Sequence, residues 1–189
     1  MKKFAILSIS IAIALFVNGV LAQSPEPSKV QDAPAKDHEW LKQLVGEWDV
    51  QFKMYMQPDQ PPAEFAGTDT VRALGNHWVV AETKTTMMGA PYSGILSLGY
   101  NPLKKHFNGT WIDSFGGYLW VYKGTLNDIG DTLTLETEGP SLQAPDKTAR
   151  YKEVIQFTGK DSRTFTSSFE TEDGKWVKIL TIEYRKKKS

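Results

Sequence analysis

From Trp48 the chain alternates between apolar and polar residues. Trp48, Val50, Phe52, Met54 and Met56 are separated by Asp49, Gln51, Lys53 and Tyr55, with Glu47 just before them. A period of two places the first set on one face of a β-strand and the second on the other. Runs rich in Val, Ile, Thr, Tyr, Phe and Trp recur along the rest of the chain, including 78–86, 118–125, 131–138, 151–158 and 176–184. Turn-forming stretches separate them, among them Gly75-Asn76, Asn101-Pro102, Gly116-Gly117, Asn127–Gly130 and Asp173-Gly174. The pattern predicts about ten strands joined mostly by tight turns.

So many strands must protect their edges, and closure does this directly. The expected fold is therefore all-β, an up-and-down antiparallel barrel, with a two-sheet sandwich as the competing architecture. Asn108-Gly109 is a hairpin signal in isolation. The turn is placed instead at Asn101-Pro102, leaving Gly109 inside a strand as a bend or point of close approach. Ahead of the strands, Trp40, Leu41, Leu44 and Val45 fit one face of a short helix. Asp37 stands at its N-cap position and Gly46 where it stops.

The first residues have a different character. Lys2 and Lys3 precede an apolar run of 14 residues, Phe4 to Val17, and Val20-Leu21-Ala22 follows. This is the layout of a secretory signal peptide over residues 1–22, cut after Ala22. The run is short of the roughly 20 residues of a membrane span. The expectation is export to the periplasm or beyond the cell, with no membrane span after cleavage. Residues 23–35, with Pro25, Pro27 and Pro34, read as a flexible linker, and 36–186 as a single domain.

Composition narrows the chemistry. Lys+Arg and Asp+Glu are 22 each, so the net charge is zero, which argues against nucleic acid as a partner. The chain has no cysteine, hence no disulfide, thiolate metal site or Cys nucleophile. His38, His77 and His106 are its only histidines, and none is paired at metal-binding spacing. His38 reads as a surface or capping residue, His77 and His106 as exposed turn residues. No metal and no cofactor are expected, though a heme held by a single histidine stays open. Ser93 lacks the first glycine of a nucleophile elbow, and Gly116-Gly117 lacks the lysine and spacing of a phosphate loop. Glu136 and Glu138 alternate with Leu133 and Leu135 and so belong to the solvent face. The basic tail Arg185 to Lys188 reads as a solvated terminus.

The helix followed by Gly46-Glu47-Trp48 resembles the Gly-x-Trp signature of the lipocalins and their calycin relatives. In that group the tryptophan closes one barrel end beneath a basic residue near the end of the last strand. The resemblance implies Trp48 and Arg185, in Ile182-Glu183-Tyr184-Arg185, as such a plug. A second resemblance runs through His38-Glu39-Trp40-Leu41, Gly46-Glu47-Trp48, Thr70–Gly75, Leu98–Pro102, Gly109–Ser114 and Thr137–Pro140. In that order these motifs are similar to the bacterial family known as domain of unknown function 1579. That family implies a fold and a compartment but no reaction or ligand. Asn101 stands where the family's turn would have Asp.

The barrel lumen is left as the place for function. Trp111 and Asp113 share one strand face, as do Trp120 and Tyr122 on the next run. Facing inward, they would form an aromatic wall with one carboxylate, and Asp113 or Glu82 near Arg72 would supply a polar anchor. The leading reading is a small, largely apolar ligand bound by Arg72, Glu82, Trp111, Asp113, Trp120 and Tyr122. An enzyme would use Asp113 or Glu82 as general acid or base and Arg72 as a charge clamp. A third reading is a structural or interaction domain with a filled interior, and in the plainest case Asp113 only supports the Ser114–Gly117 turn. The sequence does not set the oligomeric state.

Overall fold

The computed structural model describes residues 36–57, 59–144 and 146–188. The expected signal peptide (1–22), its cleavage point and the linker (23–35) lie outside them.

Among the described residues ten strands follow one helix. The helix α1 is Lys36–Lys42. The strands are β1 (Gly46–Met54), β2 (Ala63–Leu74), β3 (Trp78–Met87), β4 (Ala90–Asn101), β5 (His106–Asp113), β6 (Trp120–Leu126), β7 (Thr132–Pro140), β8 (Thr148–Gly159), β9 (Ser162–Glu170) and β10 (Trp176–Lys186). Each strand pairs with its neighbours in sequence, and β1 closes the barrel on β10, with Trp48 opposite Lys186. The ladder is antiparallel throughout, so the structure is the closed meander and not the sandwich.

Alternating strand direction sorts the connections between the two ends. The turns β2–β3, β4–β5, β6–β7 and β8–β9 gather at the end where α1 sits. There Trp40 and Leu41 are buried, and the Trp40 Nε1 donates to the Gly130 carbonyl at 3.0 Å. The same indole meets Phe107 and Phe157 edge-on, each at 5.5 Å. This packing shuts one barrel mouth. The longer connections β1–β2, β5–β6 and β7–β8 gather at the opposite end and leave it open.

Local expectations met the structure unevenly. Gly109 lies mid-strand, and a Cβ there would approach the Ser97 carbonyl oxygen to 2.5 Å, closer than any side chain permits. The turn is at 102–105, where the Asn101 Oδ1 accepts from the backbone N–H groups of Leu103 and Lys104, both at 3.1 Å. An aspartate would accept the same two bonds, so asparagine here leaves the turn intact. Gly46 opens β1 at φ +138°, a conformation unfavourable to any residue with a Cβ. Tyr118, expected in a strand, lies outside β6 with its hydroxyl bonded to the Glu138 carbonyl at 3.0 Å. His38 is not on the surface. It is buried, with Nε2 3.2 Å from the Tyr100 carbonyl oxygen, and half-buried His77 stands against it.

Candidate functional site

The lumen is not filled. Ten strands enclose a cavity of about 440 Å³ that opens at the end opposite α1. Trp111 on β5 and Trp120 on β6 are directly paired and form one side of its mouth, with Tyr122 buried one inward position deeper. Each indole lies over a glycine on the adjacent strand: Trp111 covers Gly94 and Trp120 covers Gly139, where a Cβ would overlap the rings. The glycines thus make room for the aromatic wall that the alternation predicted. Trp120 also meets Tyr151 edge-on at 4.9 Å, continuing the wall onto β8.

Asp113 stands at this mouth in two roles. Its Oδ1 accepts from the backbone N–H groups of Phe115 (2.8 Å) and Gly116 (3.0 Å), while Oδ2 accepts from Trp111 Nε1 at 3.2 Å. It supports the turn and fixes the indole beside the cavity. Of the six residues expected around a ligand, Trp111, Asp113, Trp120 and Tyr122 line the lumen. Arg72 and Glu82 do not. Both are exposed on the outer wall, because Val71, Ala81 and Thr83 take the inward positions of β2 and β3. Glu82 pairs there with Lys84 at 2.8 Å. The charge clamp and the Glu82 general acid or base are thereby removed.

The plug also needs a correction. Trp48 is fully buried, and its Nε1 donates to the Leu44 carbonyl at 2.9 Å. Arg185, however, follows inward Tyr184 and therefore points out to solvent. The guanidinium over the indole belongs to Arg163 on β9, 4.9 Å from the Trp48 ring centroid and 3.7 Å from that of Tyr184. Lys186 reaches the same indole, with Nζ at 5.3 Å.

Arg163 belongs to a buried polar group that the sequence reading missed. Its Nη2 donates to Asp69 Oδ2 at 2.8 Å, and the Thr83 hydroxyl donates to Asp69 Oδ1 at the same distance. Burial pushes the Asp69 carboxyl above its ordinary value, while the Arg163 charge and the Thr83 bond oppose that push. Higher in the lumen, Glu153 on β8 faces Ser167 on β9, whose hydroxyl donates to Glu153 Oε1 at 3.1 Å. Glu153 Oε2 has no hydrogen-bond partner among the described residues. With no cation beside it, burial raises this carboxyl from the usual carboxylate range to about 8.

The signal for all five residues was register. Asp69 alternates with Val71, Thr83 with Ala81 and Val79, and Glu153 with Tyr151 and Ile155. Arg163 and Ser167 alternate with Phe165 and Phe169. A polar residue in the apolar register of a strand is a candidate for the inside of a barrel.

The domain is matched by the family model described as "Protein of unknown function (DUF1579)" over residues 33–186. The chain belongs to that family. No curated protein matches the chain. Among solved structures, Rv2717c from M. tuberculosis is similar, with 15% identity, 82% of this chain and 100% of that chain covered, and a TM-score of 0.58. The S-type phycobiliprotein lyase CPES from Guillardia theta is similar at 16% identity, covering 84% and 96% of the two chains with a TM-score of 0.54. At such identities the likeness establishes the barrel fold alone. For this family member no three His, Asp or Glu side chains converge as a metal site among the described residues. None of its three histidines lines the cavity. No helix among the described residues is long and apolar enough to cross a membrane.

Proposed function

We propose that this barrel binds a small, largely apolar molecule in its lumen, entering through the end opposite α1. The observation behind the reading is the cavity itself. Its volume of about 440 Å³ lies within the range of small-molecule sites, and its wall is mostly aromatic and aliphatic with a few polar groups. Aromatic side chains could have filled so narrow a barrel. Instead Trp111 and Trp120 are seated over glycines at the mouth, which keeps the interior open. Export follows from the sequence expectation, so the chain would act outside the cytoplasm and begin at Gln23.

Titration with N-phenyl-1-naphthylamine, an apolar dye that brightens out of water, tests this function. Wild type should bind it saturably. Ala81, small, buried and on the cavity wall, offers the control. Ala81→Phe should fill the lumen and weaken binding at least tenfold, and Trp120→Ala should weaken it by removing the wall. A wild-type protein that leaves the dye dark, or an Ala81→Phe variant that binds it equally well, defeats the reading.

A further inference from the structure

Among the described residues the charged groups on the cavity wall are Asp69, Arg163, Asp113 and Glu153, with no lysine and no second arginine. Arg163 is bonded to Asp69 through Nη2 and packed against Trp48 and Tyr184, and its buried Nε has no hydrogen-bond partner among the described residues. Two opposite charges at 2.8 Å, almost completely buried, present little net field to a ligand. Asp113 is committed to the loop and to Trp111. Among the carboxylates Glu153 differs. It is 5% exposed and holds a single bond, from Ser167, with its other oxygen unpartnered.

Resting on the lumen-binding reading, we infer that the ligand is an apolar amine, or another apolar molecule carrying a cationic or N–H donor nitrogen, whose nitrogen is received by Glu153, and that apolar carboxylates are refused. The wall supplies what such a nitrogen needs. A buried carboxyl without a cation is costly to the fold, and no other described residue completes its bonding. Its site holds it protonated up to about pH 8, so an arriving ammonium group would supply the missing counter-charge and favour the carboxylate. Trp111, Trp120, Tyr122 and Tyr151 line the same space, and aromatic rings are favourable neighbours for a cation. A ligand carboxylate would meet Asp113 as a like charge, joined by Glu153 as it ionises near pH 8, and the one guanidinium on the wall among the described residues is already neutralised by Asp69, with only its buried Nε–H left unbonded.

The test is displacement of N-phenyl-1-naphthylamine at pH 8 by octylamine and by octanoate, which share a chain length and differ in the sign of charge. Wild type should prefer octylamine by at least tenfold. Glu153→Gln should narrow that ratio to within about threefold, corresponding to less than ~0.7 kcal/mol. The ratio is read within each protein, so a uniform loss of affinity does not mimic the effect. Glu153→Leu, of similar bulk without charge or hydrogen bonding, is a second variant should the amide fail to fold. Octanoate competing as well as octylamine, or a preference undiminished in a folded Glu153 variant, overturns the inference and leaves lumen binding intact. Failure of wild type to bind the dye at all removes lumen binding and this inference together.

Discussion

The Arg163 guanidinium lies 4.9 Å from the centroid of the Trp48 indole, although the two residues stand on strands that are not paired with each other. Tyr184, on β10 between them, pairs directly with Arg163 across the sheet and lies 3.7 Å from the same guanidinium. On the other side of Trp48, its register partner Asp69 receives the Arg163 hydrogen bond. One end of the barrel is thus tied across β9, β10, β1 and β2 by a cation, a carboxylate and two rings.

Removing one member of that group strands the others. Arg163→Met or Asp69→Leu alone should each cost about 3–5 kcal/mol in urea unfolding, because each leaves an uncompensated buried charge. The double variant should cost clearly less than the sum, since the two residues share one interaction. Arg185→Ala, on the outer wall, should change stability by less than about 0.5 kcal/mol. A double-mutant cycle that is additive for Arg163 and Asp69 would show that the bond contributes nothing.

Glu153 makes stability depend on pH in an unusual direction. Its folded-state value is raised to about 8, whereas in the unfolded chain it titrates near the ordinary 4.5. Between these values the folded state binds a proton that the unfolded state has released. Stability contributed by Glu153 is therefore greatest below 4.5 and falls as pH rises to 8, by up to ~1.4 kcal/mol for each pH unit. Unfolding at pH 5, 6.5 and 8 should show this decline in wild type and a flatter profile in Glu153→Gln. Parallel profiles for the two proteins would place the titration elsewhere.

The glycines beneath the aromatic wall give a third expectation. Gly139→Ala must displace the Trp120 indole, costing about 1–3 kcal/mol as overpacking does, and should weaken dye binding in parallel. Gly117→Ala meets nothing within 4 Å and should change stability by less than about 0.5 kcal/mol. Comparing the two variants by urea unfolding and dye titration separates wall displacement from a general glycine effect.

Asp113 yields a fourth. Asp113→Ala removes two acceptor bonds to the backbone of the β5–β6 connection, worth about 1 kcal/mol each, and frees the Trp111 indole. Asp113→Asn keeps one acceptor oxygen and should retain most of the stability. Amide hydrogen exchange at Phe115 and Gly116 should rise in the alanine variant and change little in the asparagine one.

Much of this architecture was legible in the chain because the side-chain period of a strand is two. The alternation from Trp48, the turn at Asn101-Pro102 and the wall of Trp111, Trp120 and Tyr122 each follow from local residues. Local pattern failed where both faces of a strand carry apolar residues. In Trp78-Val79-Val80-Ala81-Glu82 either register puts valine inside, and only pairing with β2 and β4 turned Glu82 outward. For Arg185 the parity was readable, since Ile182 and Tyr184 fix the inward face and Arg185 follows on the outer one.

By itself the sequence determined the strands, the short helix and the order in which turns connect them, because backbone period and turn chemistry are properties of neighbouring residues. Tertiary structure decided which polar side chains share the interior. Asp69 and Arg163 are 94 positions apart, and they meet only because β1 closes on β10. The same closure decided that the lumen is open at one end and that Glu153 faces it with one oxygen unbonded. Those outcomes depend on strand register summed around a whole barrel, which no local stretch of chain contains.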